Sequence, residues 1–242
     1  MSVAKSMVRR LLRRLGYDAH RYHPALSPSA QQMAIFKSRG ISLVLDVGAN
    51  AGQFGVSLRE AGYAGRIVSF EPLQSARELL LAASAGDADW EVAGKAAIGR
   101  EEGEVDIHVS ANSVSSSVLD MLDAHLHSAP ESRYVGAERV PLRRLDAIAM
   151  PYLRADAAIL LKIDTQGYED RVLDGAAGIL PRIAGIQLEL SLVPLYRGQM
   201  LLPEMIERLR QMGFGLWAVW PAFVEPASGR LLQVDATFFR AE

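Results

Sequence analysis

An α/β fold around a mostly parallel sheet is the architecture this 242-residue sequence predicts. Three observations predict it. Short apolar runs alternate with helical stretches from residue 41 onward, the order of strands joined by crossover helices. The first run, Leu43-Val44-Leu45-Asp46-Val47, stops at a glycine-rich turn through Gly48, Gly52 and Gly55, with a helix to follow. The first two runs each end near an acid, Asp46 and Glu71, and an acid after the second strand is where doubly wound nucleotide folds hold a ribose diol.

The elements follow in chain order. In residues 1–15, Lys5, Arg9, Arg10, Arg13 and Arg14 interleave with Met7, Val8, Leu11, Leu12 and Leu15, the spacing of a basic amphipathic helix. Such a helix can lie on an anionic membrane, or pack on the main domain or a second subunit as in a homodimer. His20-Arg21-Tyr22-His23-Pro24 reads as a loop, although two histidines three apart can in principle share a metal. Residues 29–39 form a second helix ended by Gly40, so residues 1–40 read as a basic helix with a helical cap and 41–242 as one domain.

Within that domain, strands are expected at 42–47, 66–70, 90–98, 158–163 and 185–190, and helices near 52–61, 73–85, 168–178 and 202–212. Pro203 and Gly213 bracket the last helix, Pro at its start and Gly just past its end. Residues 214–220 and 231–239, parted by Pro226, Ser228 and Gly229, read as an antiparallel hairpin closing one sheet edge. Residues 103–109 alternate as a strand, and a polar stretch from Ser110 to Pro130 follows. Residues 103–135 therefore read as an insertion, either a lid over an active site or plain surface.

Composition narrows the class. Half the chain is apolar, enough for a sizeable core, and the net charge of −2 argues against a nucleic-acid partner. With no cysteine, disulfides and thiolate metal sites are excluded. No apolar run approaches the ~20 residues of a membrane span, and the basic N-terminal stretch leads to no apolar signal core. The expectation is a cytoplasmic enzyme or binding protein, with residues 1–15 able to reach the inner membrane surface.

The glycine turn selects among cofactors. A nicotinamide site favours Gly-x-Gly-x-x-Gly with a diphosphate on the helix N-terminus, whereas here Asp46 precedes Gly48-Ala49-Asn50-Ala51-Gly52. An acid there is poorly placed for a diphosphate and suits a ligand with a cationic centre. S-adenosylmethionine (SAM) is such a ligand: a sulfonium, an α-amino acid and an adenosine without phosphate. The plain alternative is a strand–turn–helix in which Asp46 only accepts loop N–H bonds.

Four motifs then occur in order: Asp46-Val47-Gly48-Ala49-Asn50-Ala51-Gly52, Phe70-Glu71-Pro72, Leu161-Lys162-Ile163-Asp164-Thr165-Gln166-Gly167-Tyr168-Glu169 and Gln187-Leu188-Glu189-Leu190. Together with Pro194-Leu195-Tyr196 and Asp235-Ala236-Thr237-Phe238-Phe239, they resemble the FkbM family of SAM-dependent methyltransferases from about residue 41 to the end. The resemblance implies a Rossmann-like class I methyltransferase sheet of seven strands, parallel except for one. It implies O-methylation of a hydroxyl on a sugar, a glycolipid or another natural product. It places Asp46, Gly48, Ala49, Asn50 and Gly52 around the methionine part of SAM, Glu71 with Pro72 at the ribose, and Ala96 and Ala97 beside the adenine. Two positions depart from the family pattern: Lys95 precedes Ala96-Ala97-Ile98-Gly99, and Gly55 or Val56 stands where a hydroxylic residue is usual. These departures are the support for a competing reading, a non-catalytic protein that keeps the cofactor fold.

Methyl transfer to an alcohol requires in-line alignment and removal of the hydroxyl proton. Asp164 is the first candidate base, at the end of the fourth strand beside the ligand crevice of open α/β sheets; it can instead cap the next helix or pair with Lys162. Glu189 ends the adjacent strand, so the two carboxylates could share Mg²⁺, which binds one or two carboxylates plus waters. His125 and His127, in the expected lid, are further base candidates, as is His108. Tyr168 and Glu169 begin the next helix, and Tyr196 and Trp220 can stack on a sugar or fill the core.

Overall fold

The computed structural model describes residues 3–241. The chain divides into two units, one up to Ser38 and one from Arg39 onward. In the first, helix α1 (Val3–Arg14) ends on Arg13 and Arg14, basic residues that suit a helix C-terminus. The two residues of the expected 1–15 helix before Val3 lie outside the described residues. Helix α2 (Pro28–Ser38) starts where Ser27 Oγ accepts the Ala30 N–H. Between them, Arg13 pairs with Asp18, and His23 Nδ1 accepts the Ala25 N–H, so His23 serves a turn.

The second unit runs β1 (Ile41–Val47), α3 (Gln53–Glu60), β2 (Arg66–Phe70), α4 (Gln74–Ser84) and β3 (Trp90–Val92). Then come β4 (Ala97–Ile98), β5 (Gly103–Ser110), α5 (Asp123–Ser128), β6 (Tyr134–Arg143) and α6 (Leu145–Ile148). It closes with β7 (Ala158–Ile163), α7 (Glu169–Gly175), β8 (Ile183–Ser191), α8 (Leu202–Gln211), β9 (Phe214–Val224) and β10 (Leu231–Arg240). Seven strands form one sheet in the order β3-β2-β1-β7-β8-β10-β9. Every neighbouring pair is parallel except those made by β10, so β10 alone runs against the rest. The C-terminal hairpin closes the sheet edge as expected, with β10 inside and β9 outermost. Pro221 sits on that edge strand, where a missing N–H is tolerated.

The order reverses between β1 and β7, the switch point where ligands bind outside the strands' carboxyl ends. Central strands are buried on both faces: Leu43, Leu45, Ile159, Leu161, Ile186 and Leu188 share one core cluster on one face, and Val44 and Leu160 are buried on the other. Gly213, at φ +84°, ends α8 in the left-handed conformation its position after the helix requires.

The expected strand at 90–98 is two strands in two sheets. β3 adds to the large sheet, and β4 joins a three-stranded sheet ordered β4-β6-β5. The break falls at Ala93-Gly94-Lys95-Ala96, weak strand formers without a β-branched side chain to hold a ladder. β6 and α6 were not anticipated. The small sheet rests on α4 through Leu73, Ala76, Ala97, Ile107, Val140 and Leu142.

Candidate active site

Two loops meet above the ends of β1 and β7. Gly48 has φ +77°, and a Cβ on it would stand 1.9 Å from the Asp164 carbonyl oxygen. Only glycine lets these backbones come so close. The Gly48 and Ala49 N–H groups donate to Phe70 O, which binds the turn to the end of β2. Gly55 has a different reason: a Cβ there would enter the Trp90 ring at 2.2 Å, so the small residue after the loop makes room for an indole. Trp90 Nε1 in turn donates to Ser69 Oγ at 3.0 Å.

Glu71 holds the loop from beside it. Its Oε2 accepts the Asn50 N–H at 2.8 Å and its Oε1 accepts the Leu73 N–H at 2.8 Å. Each oxygen keeps acceptor capacity for a hydroxyl. Burial raises its pKa to about 7, and the two backbone hydrogen bonds oppose that rise.

Below the loops, a row of polar side chains crosses the sheet in register: Ser69, Asp46, Lys162, Gln187 and Thr237 on β2, β1, β7, β8 and β10. All are buried. Asp46 accepts from Ser69 Oγ at 3.2 Å, and its Oδ1 lies 3.3 Å from Lys162 Nζ. The sequence expectation that Asp46 accepts loop N–H bonds is therefore corrected, because Ser69 and Lys162, its partners among the described residues, are side chains of neighbouring strands. Lys162 also sits 3.4 Å from Asp164 Oδ2, and its ammonium lies over the Phe54 ring. Burial pulls its pKa down, but Asp46 and Asp164 together outweigh burial and hold it charged. Burial likewise raises the Asp46 carboxyl, with Lys162 pulling it back.

The turn after β7 presents one residue that sequence reasoning left out of the site, Gln166. Its φ of +54° is unusual for a side-chain-bearing residue. The strained backbone aims its amide between two acids: Nε2 donates to Asp164 Oδ1 at 2.8 Å and to Glu189 Oε2 at 2.6 Å. Tyr196 O–H donates to Gln166 Oε1 at 2.7 Å, which orients the amide. Gln233 Nε2 adds a second donor to Glu189 Oε2 at 2.9 Å. An amide thus stands between the two carboxylates that the sequence left able to share Mg²⁺, and among the described residues no group of three His, Cys, Asp or Glu is placed to hold a metal. Both amides converge on Oε2, and among the described residues no hydrogen bond reaches Glu189 Oε1. Burial, with Asp164 and Asp235 nearby, lifts the Glu189 carboxyl well above the usual range. Asp235, paired in register with Glu189, is raised to about 6, chiefly by burial.

These groups open into a cavity of about 270 Å³ between the sheet and the 110–132 segment, with Asn112, Ser115, His125, Asp164, Glu189 and Phe223 in its wall. The segment is tied down on both sides. Ser113 Oγ lies 3.3 Å from Asn50 Oδ1, Ser117 Oγ donates to Gln166 O, and Ser117 pairs with His108 through the backbone. The non-glycine residues at positive φ, Asn50, Ser113 and Gln166, all belong to this junction, and strain of this kind collects at functional sites.

The methyltransferase FkbM domain profile matches residues 46–216, most of the chain. The chain belongs to the FkbM methyltransferase family. No curated protein sequence matches it. Among solved structures, it is similar to magnesium protoporphyrin IX methyltransferase (ChlM) from Synechocystis with bound SAH, at 12% identity over 98% of this chain and 100% of that one, TM-score 0.48. It is similar to the 1,6-didemethyltoxoflavin-N1-methyltransferase of Burkholderia thailandensis, at 14% identity over 99% and 86%, TM-score 0.46. A third, TehB from Haemophilus influenzae, has 9% identity over 87% of this chain and 62% of its own, TM-score 0.47.

Within this FkbM chain the candidates of the sequence part company. Asp46, Gly48, Ala49, Asn50, Gly52, Glu71 and Pro72 gather at the β1–β2 end, with Asp164 beside them. Ala96 and Ala97 flank the break between the two sheets. Lys95 turns away to Glu138, Nζ to Oε1 at 2.6 Å. His125 is buried in the cavity wall between Tyr196 and Phe223, and burial lowers its pKa to about 4. His127, two residues on along α5, is exposed and absent from that wall, so its candidacy as a base is corrected. His108 stacks on Tyr134 and faces Asp120 instead. Tyr196 is core, not a stacking platform, and Glu169 accepts the Thr165 and Gly167 N–H groups to close its turn.

Gln166, Gln233 and Asp235 were missed, although a signal existed. Gln233, Asp235 and Thr237 are alternate residues of an otherwise apolar strand, and polar residues at period two in a buried strand mark a polar face.

Proposed function

We propose that this chain is a SAM-dependent O-methyltransferase acting on a hydroxyl of a sugar, carried by a glycolipid or another glycosylated natural product. The observation that carries the reading is Glu189: a half-buried carboxylate with one oxygen held by two amides and, among the described residues, no hydrogen bond to the other, in the wall of a cavity where amides and hydroxyls alternate with Val114, Ala129 and Phe223. That cavity begins at Asp164, whose backbone touches the glycine loop.

The residues present fit SAM. The loop through Gly48, Asn50 and Gly52 is a backbone cradle, and Glu71 offers remaining lone pairs to a ribose diol. Ala96 and Ala97 would flank the adenine. Three carboxyls, Asp46, Asp164 and Asp235, act on the ammonium of Lys162, so acids outnumber the cation at this corner, a balance suited to a cationic ligand. When bound, SAM supplies the electrophilic methyl group.

The chain's own residues do the rest. Asn112, Ser115, Gln166 and Gln233 offer donors and acceptors to a polyhydroxyl acceptor. Glu189, its pKa raised well above the ordinary carboxylate value by burial and the neighbouring Asp164 and Asp235, takes the hydroxyl proton at Oε1 as general base. Asp164, fixed by Lys162 and Gln166, holds its carboxyl at the junction of the two half-sites. The 110–132 segment excludes water from the cavity, an effect that strengthens electrostatics within it.

Calorimetric titration with SAM and S-adenosylhomocysteine tests the cofactor; micromolar binding is expected. Incubation with methyl-labelled SAM and a panel of glycolipids and glycosides tests the acceptor, with label expected in a base-stable ether. Cofactor binding with no transfer to any hydroxyl compound would favour the non-catalytic reading.

A further inference from the structure

We infer that residues 6–26 of the first unit are a docking surface for anionic lipid membranes. This inference stands on other residues than the methyltransferase reading, and vesicle binding is measured without turnover, so either can fail alone.

The geometry of α1 carries it. At ~100° per residue, Met7, Val8, Leu11 and Leu12 fall along one side of the helix, and Arg9, Arg10 and Arg13 along the other, with Arg14 at the border. Met7, Val8, Leu11 and Leu15 are each more than half exposed. An exposed stripe of three large apolar side chains on a short helix, prolonged by Leu15 just past its end, is a surface built for contact. The exposed apolar side chains continue past the helix with Tyr17, Tyr22 and Leu26. Tyrosines are enriched at the membrane–water interface, where ring and hydroxyl meet different solvents.

Charge selects the occupant. From Lys5 to Arg21 the chain carries six Lys or Arg and one acid, Asp18, which is paired with Arg13. The domain as a whole is slightly acidic, at −2 for the full chain, so the basic residues are concentrated here. A protein partner would match the apolar stripe and a nucleic acid the arginines; an anionic bilayer matches both at once, apolar residues in the acyl boundary and arginines at the headgroups. No helix among the described residues is long and apolar enough to cross a membrane, so the contact is interfacial.

The test is co-sedimentation of the full chain with phosphatidylcholine vesicles, with and without about one-third phosphatidylglycerol. Binding is expected only with the anionic lipid. Each basic residue near the surface contributes about fivefold in affinity, so Arg9→Ala with Arg10→Ala should weaken binding roughly twentyfold. Leu11→Asp should abolish it while SAM binding and the circular dichroism spectrum stay unchanged. Raising ionic strength from about 0.1 M to about 1 M, which shortens the Debye length from ~10 to ~3 Å, should weaken binding. Equal binding to neutral vesicles would overturn the inference. So would no binding to either vesicle; retention of a short RNA, or a dimer that Leu11→Asp dissociates, would then name the other occupant.

Discussion

Replacing Lys162 with methionine is the sharpest probe of how this site is built. The side chains are similar in length, so the change removes charge more than volume. Asp46 is fully buried, and Lys162 Nζ, 3.3 Å from Oδ1, is its one cationic partner. Coulomb's law at an effective dielectric of ~20 gives roughly 5 kcal/mol for charges at that distance. Measured losses on orphaning one member of a buried pair run at about 3–5 kcal/mol. For a chain of this size, that lowers the midpoint of thermal unfolding by roughly 10 °C. Urea and thermal unfolding at pH 8 give the single-mutant value, and a cycle with Asp46→Asn isolates the pair. In the Asp46→Asn background, Lys162→Met should cost only about 1 kcal/mol, the scale of the remaining half-exposed contact to Asp164. The pH dependence has a definite sign. Without Lys162 the Asp46 pKa lies above its unfolded value, so the deficit is full at high pH and shrinks as pH falls through the raised pKa. Equal cost of Lys162→Met in both backgrounds would refute the pairing as the source of its contribution.

Gly48→Ala forces a Cβ to 1.9 Å from the Asp164 carbonyl at φ +77° and should abolish SAM binding while lowering stability, both read by thermal shift with and without SAM. Glu71→Gln should weaken SAM binding about tenfold or more, the scale of a charge-assisted hydrogen bond; in the wild type, affinity should fall as pH drops through about 7, because protonation removes acceptor capacity. Glu189→Gln should lower kcat by about 10²–10⁴ with little change in SAM affinity. Its wild-type acidic limb should lie well above pH 4.5, because the ionised base is required and its pKa is raised. Gly55→Leu drives a side chain into the Trp90 ring and should cost about 1–3 kcal/mol in a urea titration.

Much of this was legible in the order of residues. Buried parallel strands write themselves as continuous apolar runs, so Ala158–Ile163 was placed to the residue, and Pro203 with Gly213 bounded α8. The glycine loop was legible because close backbone approach leaves so few residue types. What was hidden depended on the third dimension. Nothing local says that the chain leaves one sheet after Val92 and enters another at Ala97, since that choice is made by packing on α4. Asp164 and Glu189 were rightly placed on adjacent strands, but the amide between them comes from a turn whose left-handed backbone no composition rule foretells. His125 and His127 looked alike in sequence and were separated by two residues of helix, one side buried and one exposed.

The break in the third strand has a mechanical consequence. β4 is hydrogen-bonded to β6, β6 to β5, and β5 runs on into the segment whose Ser113 touches Asn50. Ala93–Ala96 is thus a tether from the large sheet to a small rigid plate that carries the cover at its far end. On the proposed placement of the adenine, one wall of the cofactor cleft and the roof of the acceptor cavity are parts of the same plate. On that placement the two half-sites share one support, so a substitution that loosens the pairing of β5 with β6 would be felt in both.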